Sequence, residues 1–337
     1  MPHDNQQILI NSLPSGKLSA ENYRPTSAPI PVIGDGEILV KTTAFLLSAG
    51  SRAGLQGSAS YAGAPSAGRV MNSSGVGEVI SSQCRDVPVG RYVHVPTGWQ
   101  QFSAHSGYDA TVIPADHNPI DYLGPLGING LTAYFGLLDV AQIQAGENVM
   151  VSAAAGSVGH LVGQIATLKG AHVVGICGSN AKAERLVSEL GFRTAVNYKS
   201  GHYRDQLKTA TPNGVDVYFD NTGGMILGSA LFRMNLRGRI ACCGVVSQYD
   251  TDHPEPAPKG IPGLLVNKRL TMRGFLVYDY AQRFNEARNE LQGWLARKEL
   301  ISLTDEVYGL ASAPEAFVDL LGGGNIGTRI VRLDQAT

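Results

Sequence analysis

From residue 147 to the end of the 290s, short runs of strand-type residues alternate with stretches of helical periodicity. No other feature of the chain restricts its fold as much, because strand, helix and strand in regular alternation build a parallel sheet covered by helices. The strand candidates are Asn148 to Ser152, His172 to Cys177, Ala195 to Tyr198, Asp216 to Asp220, Arg239 to Cys243 and Thr271 to Val277. Six strands with intervening helices is the count of a doubly wound dinucleotide fold. In "FNEARNELQGWLARKEL", Phe284, Ala287, Leu291, Trp294 and Leu295 share one helical face. The Pro- and Gly-rich "QYDTDHPEPAPKGIPGL" reads as a loop.

The rest has a different texture. Up to about residue 125, "GEILVKTTAFLL", "SGVGEVI", "GRYVHVP" and "YDATVIP" are β-branched runs cut by Gly, Pro and Asp, which predicts a β-rich, barrel-like domain. At the other end, "DEVYGL" and "GTRIVRL" return to strand type and are placed to rejoin it. The expected boundaries are residues 1–127 with 300–337 for the β-rich domain and 128–299 for the doubly wound one. At 337 residues and 43% hydrophobic, the chain has apolar side chains enough for two cores.

The first strand of the alternation leads into "AAAGSVGHLVGQIATLKG", residues 153 to 170. Ala154 to Gly159 fit Gly-x-Gly-x-x-Gly with Ala in place of the first glycine. The helix that follows puts Val158, Leu161, Val162, Ile165 and Leu168 on one face. A small residue at 154 suits a tight turn, Gly156 lets the backbone approach a pyrophosphate, and Gly159 brings helix against strand. The helix N-terminus then offers N–H groups and a positive dipole end to an anion. About 20 residues further on, where an NAD-preferring site places an acid on the ribose, the chain reads Gly178-Ser179-Asn180. Lys182 follows and suits a 2′-phosphate, so NADPH is expected over NADH.

The balance of 27 basic and 28 acidic residues provides no net field for nucleic acid or an anionic membrane, and a small-molecule partner is expected. The N-terminus has no basic region followed by an apolar core, and no apolar run is long enough to span a bilayer. Cysteines at 84, 177, 242 and 243 form no Cys-x-x-Cys pair, which suits buried thiols in a reducing cytoplasm. No catalytic or structural zinc set is present: the region where a Gly-His-Glu would be expected reads "NSSGVGEV". Without a Lewis acid, reducing a conjugated C=C, whose enolate hydrogen bonds can hold, is favoured over reducing a simple ketone.

"SYAGAP", "GVGEV", "GLTAYFGL", "AAAGSVG", "GSNAK", "VNYK", "VDVYFDNTGG", "GRIACCG", "GFLVYDY" and "GNIGTRIV", taken in order over most of the chain, resemble the zinc-free medium-chain dehydrogenase/reductases. The resemblance is to their NADPH-dependent alkenal double-bond reductases, the group of the prostaglandin and curcumin reductases. It implies an α/β chain with a GroES-like β-rich catalytic domain and a doubly wound Rossmann nucleotide domain, and a homodimer. By the same resemblance Gly156, Ser157, Val158 and Gly159 cradle the pyrophosphate, and Lys182 and Tyr198 hold the 2′-phosphate. Asn221, Cys243, Gly244, Ser247, Tyr249, Phe275, Leu276, Val277 and Asn325 line the cofactor, and Thr132 neighbours the nicotinamide.

The implied reaction sends hydride to the β-carbon of an α,β-unsaturated aldehyde or ketone while negative charge moves to the carbonyl oxygen. A phenol, ordinarily titrating at about 10, is a fitting donor there. Tyr280 resembles the family's active-site tyrosine and Tyr61 one at the pocket mouth; Tyr278 is a rival by proximity. Where the family carries Asp-Pro-Tyr-Met-Arg, this chain has Ser48-Ala49-Gly50-Ser51-Arg52, which is expected to enlarge or loosen the pocket. Two alternatives stay open on the sequence: a zinc-free quinone oxidoreductase of the same superfamily, and a nucleotide-binding protein without turnover.

Overall fold

The computed structural model describes residues 4–57, 66–253 and 258–333, and the chain divides into two units, Met1–Leu123 with Thr304–Thr337, and Gly124–Leu303. In the first unit, β1 (Asp4–Ile10) and β2 (Tyr23–Pro29) form an antiparallel pair. The other strands are β3 (Glu37–Leu46), β4 (Gly75–Ser82), β5 (Tyr92–Val95), β6 (Phe102–Ser106), β7 (Thr111–Val112), and, from the tail, β14 (Thr304–Tyr308) and β15 (Thr328–Arg332). They make one sheet in the order β14-β15-β3-β4-β5-β7, with β6 also on β3.

The central strand β3 explains the barrel-like texture. Its register against β4 slips twice, between Leu39 and Val40 and between Thr42 and Ala44. The resulting bends let its other edge pair with β6 over Glu37 to Lys41 and with β15 over Ala44 to Leu46. Trp99, 1% exposed, anchors a core that Phe45, Tyr23 and Phe317 complete. Phe317 comes from α9 (Ala313–Leu321). The "SAGSR" segment is helical: Ser48 caps α1 (Ala49–Leu55), and buried Arg52 donates from Nη2 to the Gly16 carbonyl at 2.6 Å.

The second unit carries six parallel strands, β8 (Asn148–Val151), β9 (His172–Cys177), β10 (Thr194–Asn197), β11 (Val215–Asp220), β12 (Met234–Cys242) and β13 (Thr271–Gly274), in the order β10-β9-β8-β11-β12-β13. This is the doubly wound order. Its direction reverses between β8 and β11, where such sheets open a crevice beyond their carboxyl ends. Connecting them are α3 (Gly159–Leu168), α4 (Asn180–Leu190), α5 (Tyr203–Ala210), α6 (Gly224–Arg233) and α7 (Ile261–Lys268); α2 (Ile128–Phe135) precedes β8 and α8 (Phe284–Ala296) follows β13.

Four sequence expectations need correction. β12 begins at Met234 rather than Arg239, since Met234 already pairs with Val215 before the register shifts. β13 stops at Gly274, and Val277–Arg283 is a 3-10 turn. Ile261 to Leu264 of the expected loop belong to α7, which tolerates Pro262 because the first turn has no hydrogen bond for proline to break. Finally, α3 is buried on nearly every side, His160 and Gln164 included, whereas Leu168 is 36% exposed; it packs on α2, α4, β8 and β9 at once. Among the described residues no helix is long and apolar enough to cross a membrane.

Candidate dinucleotide and reductase site

Three strand exits come together at the carboxyl edge of the second unit's sheet. After β8 the chain turns through Ser152 to Val158 into α3. The positive φ of the turn, 46°, falls on Ala153, so Ala154 replaces glycine without strain and sits buried against β9, its N–H donating to the Ile176 carbonyl at 2.9 Å. Gly156, Ser157 and Val158 stay partly exposed at the bend. Gly159 is obligatory: a Cβ there would stand 2.3 Å from the Ala153 carbonyl oxygen and 2.8 Å from the Ala154 Cα. The small residues therefore fold the turn onto itself and present its outer bend, the shape a pyrophosphate cradle requires.

His160, fully buried one residue into α3, donates from Nδ1 to the Gly156 carbonyl at 2.8 Å. A carbonyl only accepts, so this fixes the tautomer. Burial brings the imidazole down to about 4, against the opposing pull of that hydrogen bond.

The exits of β11 and β12 are tied to this turn. Asn221 donates from its backbone to the Ser152 Oγ at 2.9 Å and from Nδ2 to the Ser152 carbonyl at 2.7 Å. The Cys243 and Gly244 amides donate to the Asp220 carbonyl, and Ser247 donates from both N and Oγ to the Thr222 carbonyl. Tyr249 accepts from the Val245 amide at 3.3 Å. Burial, and after it the Asp220 charge, pushes the Cys242 thiol up to about 11 and the Cys243 thiol up to about 12.

At the ends of β9 and β10 lies a second group. Ser179 caps α4 by accepting from the Lys182 amide at 3.3 Å, and burial holds the Cys177 thiol above its ordinary range against the downward effects of its hydrogen bond to the Ser179 carbonyl and of the Lys182 charge. Tyr198 is half-buried across from Gly178, where an added Cβ would lie 3.5 Å from the Tyr198 ring and from Lys199 Cε. Lys199, which the sequence reading did not single out, stands with its Nζ 5.8 Å over the Tyr198 ring. Lys182 thus follows the end of β9 and Lys199 the end of β10; the signal for Lys199 is present in "VNYK". Tyr198, Ser200, His202, Arg204, Asp205 and Met225 line an adjoining cavity of about 400 Å³.

The third group is aromatic. Tyr280 stacks face to face on buried Phe135 of α2, centroids 4.7 Å apart and planes 14° apart. Arg283 covers the same ring at 5.2 Å and is held by Asp139 and Glu286. Packing thus fixes the Tyr280 ring, while Tyr278 is 56% exposed. Phe275 meets Phe219 edge-on at 6.3 Å beside Gly136. Leu276 is exposed and Val277 buried. Thr132, half-buried in α2, donates to the Ile128 carbonyl at 2.6 Å. Asn325 belongs to the first unit, buried and donating to the Gly327 carbonyl at 2.8 Å. Tyr61 lies outside the described residues. Among the described residues, no three His, Cys, Asp or Glu side chains are grouped as metal ligands.

The chain is similar to known proteins over nearly its whole length. Residues 157–293 match the family model for a zinc-binding dehydrogenase, and residues 6–113 that for an N-terminal domain of oxidoreductase. The chain is 34% identical over 335 residues to the NADPH-dependent curcumin reductase of Escherichia coli (strain K12), covering 98% of this chain and 97% of that one. It is 37% identical over 281 residues to a 2-alkenal reductase (NADP(+)-dependent) of Nicotiana tabacum, with 82% and 81% covered. Among solved structures, CurA from Vibrio vulnificus in complex with NADPH superposes with a TM-score of 0.93 at 34% identity, over 98% of this chain and 100% of that one.

Proposed function

The chain belongs to the medium-chain dehydrogenase/reductase family, in its group of alkenal and enone reductases, and from that premise we propose that it reduces the conjugated C=C bond of α,β-unsaturated aldehydes and ketones with NADPH. The observation that carries this reading is the end-to-end likeness to the curcumin reductase. The glycine turn fits the cofactor, because the Gly159 contacts leave no room for a side chain on its inner face.

When bound, NADPH supplies the hydride for the β-carbon. The chain's own residues do the rest. Gly156 to Gly159 receive the pyrophosphate at the head of α3, where backbone N–H groups and the helix dipole favour an anion. Lys182 and Tyr198, with Lys199 beside them, hold the 2′-phosphate; a lysine pairs with it as a charge, which selects NADPH over NADH. Asn221, Cys243, Gly244, Ser247 and Tyr249 line the cofactor along the β11 and β12 exits. Tyr280 donates a hydrogen bond to the carbonyl oxygen as negative charge gathers there, and its stacking on Phe135 holds it ready. A fixed donor counts for more than a mobile one because no reorganisation is needed when the charge appears.

The fold also supports a homodimer. Among the described residues the outer edge of β13 pairs with no further strand, and Thr271, Arg273 and Gly274 are exposed. On elements joined through α7, Phe232 of α6, Leu236 of β12 and Val266 of α7 are 69%, 63% and 74% exposed; α7 packs on both of the others. An open edge beside apolar side chains suits a second copy of the chain. All four cysteines are free thiols, which fits the cytoplasm.

The direct test follows NADPH absorbance with a medium-chain 2-alkenal and an aryl-substituted enone, beside NADH and a quinone, and identifies products. A saturated carbonyl with NADPH preference supports the reading, whereas an allylic alcohol or turnover of the quinone alone overturns it.

A further inference from the structure

Asp220 ends β11 and is 2% exposed. Its Oδ1 accepts hydrogen bonds from the Tyr218 hydroxyl at 2.8 Å, the Gly223 amide at 2.9 Å and the Thr222 amide at 3.0 Å. Two longer contacts come from Ser152 Oγ at 3.3 Å and Thr222 Oγ1 at 3.4 Å. Its carbonyl accepts from the Cys243 amide at 2.8 Å and the Gly244 amide at 3.2 Å. Ser152, which it touches, is the residue that receives Asn221.

One residue is therefore bonded to all three exits: the glycine turn through Ser152, the Asn221 to Gly223 turn through its carboxylate, and the Cys243-Gly244 turn through its carbonyl. Burying a carboxylate is costly, and an apolar side chain would fill the same volume. What an apolar side chain cannot do is hold the Thr222 and Gly223 amides and Ser152 Oγ at one point. Strand pairing does not need the carboxylate: β11 pairs with β8 at Val217, Tyr218 and Phe219, and its pairing with β12 at Asp220 and Cys242 uses the backbone alone.

We propose that Asp220 is a positioning residue for NADPH, its carboxylate locking the glycine turn to the Asn221–Gly223 turn at the point where its backbone carbonyl holds the Cys243-Gly244 turn. The inference rests on the reading that these turns bind NADPH, and deepens it.

The test uses Asp220→Asn, Asp220→Ala and Ser152→Ala, with Kd for NADPH and for 2′,5′-ADP measured by calorimetry and amide exchange followed at residues 152–159 and 221–223. The Asn variant keeps an acceptor at Oδ1, and its affinity should stay within about threefold of the parent. Losing the carboxylate's bonds in Asp220→Ala, which keeps the backbone carbonyl and its bonds to Cys243 and Gly244, should weaken NADPH by roughly 10- to 100-fold, the range for breaking several buried hydrogen bonds. Ser152→Ala, which leaves the carboxylate in place, should weaken it by about fivefold on the same basis. In both Ala variants exchange should accelerate in the two turns together, and KM for NADPH should rise with KM for the enal unchanged. A folded Asp220→Ala or Ser152→Ala protein with parental NADPH affinity overturns the proposal. If Asp220→Ala does not fold, Ser152→Ala decides alone. A parent protein that binds neither NADPH nor 2′,5′-ADP refutes the cofactor reading instead.

Discussion

The imidazole of His160 makes stability depend on pH in a way that can be worked out in advance. In the folded chain it is fully buried and titrates at about 4, against 6.5 for an ordinary histidine. Between those values the unfolded chain binds the extra proton and the folded chain does not, so the contribution is complete above 6.5 and is lost as pH falls toward 4. Linkage gives about 2 kcal/mol lost between pH 7 and pH 5 and about 3 kcal/mol in all. His160→Gln removes the titration; it also removes the Nδ1 bond to Gly156, a pH-independent loss of about 1 kcal/mol, while the His160 amide still donates to that carbonyl. Urea unfolding of the cofactor-free parent should show a midpoint roughly 0.6–1 M lower at pH 5 than at pH 7 from this group alone. The variant should lack that increment. His105, also lowered by burial, titrates alike in both proteins and cancels. Histidine ring NMR gives an independent reading of the same group. Parallel pH profiles for parent and variant, or a His160 resonance titrating near 6.5, would refute the burial argument.

Lys182→Ala should weaken NADPH by about 10-fold or more, as expected for a charge-assisted hydrogen bond, with NADH affinity unchanged; equal losses would remove the 2′-phosphate assignment. Tyr280→Phe should cut kcat by about 10²–10³, the effect of deleting one donor to a developing oxyanion, without altering the Kd of NADPH; unchanged turnover moves the role to another donor. Gly163→Ala places a Cβ 1.9 Å from the Phe192 Cζ. Overpacking of that kind costs about 1–3 kcal/mol, a fall in Tm of roughly 2–12 °C by calorimetry, and an unshifted Tm would mean that the Phe192 ring yields freely.

How much of this was legible in the sequence follows from how local each feature is. The parallel strands could be read because, covered on both faces, they run as short unbroken apolar stretches between turns. The first half of β12, Met234-Asn235-Leu236-Arg237-Gly238, does not read as strand because polar residues break it and Arg237 takes a φ of 61°. The glycine turn is a strand, a bend and a helix start within a dozen residues, so its shape is written in adjacent side chains. The contacts of Asp220 are illegible in the sequence for the opposite reason. Asp220 is 68 residues from Ser152, and they meet only because β8 and β11 are neighbours across the point where the sheet reverses. Phe135 and Tyr280 are likewise joined by tertiary packing alone.

His160 shows the same limit on a single helix. A helix lying on a sheet is expected to keep one face in water, and residue 160 fell outside the apolar stripe. Packing by α2 and α4 closes that face and buries an imidazole against the turn. Three helices decide whether position 160 is wet, and only one of them contains it. Sequence periodicity reports the helix a residue belongs to; the groups that pin this site in place are set by elements that periodicity does not see.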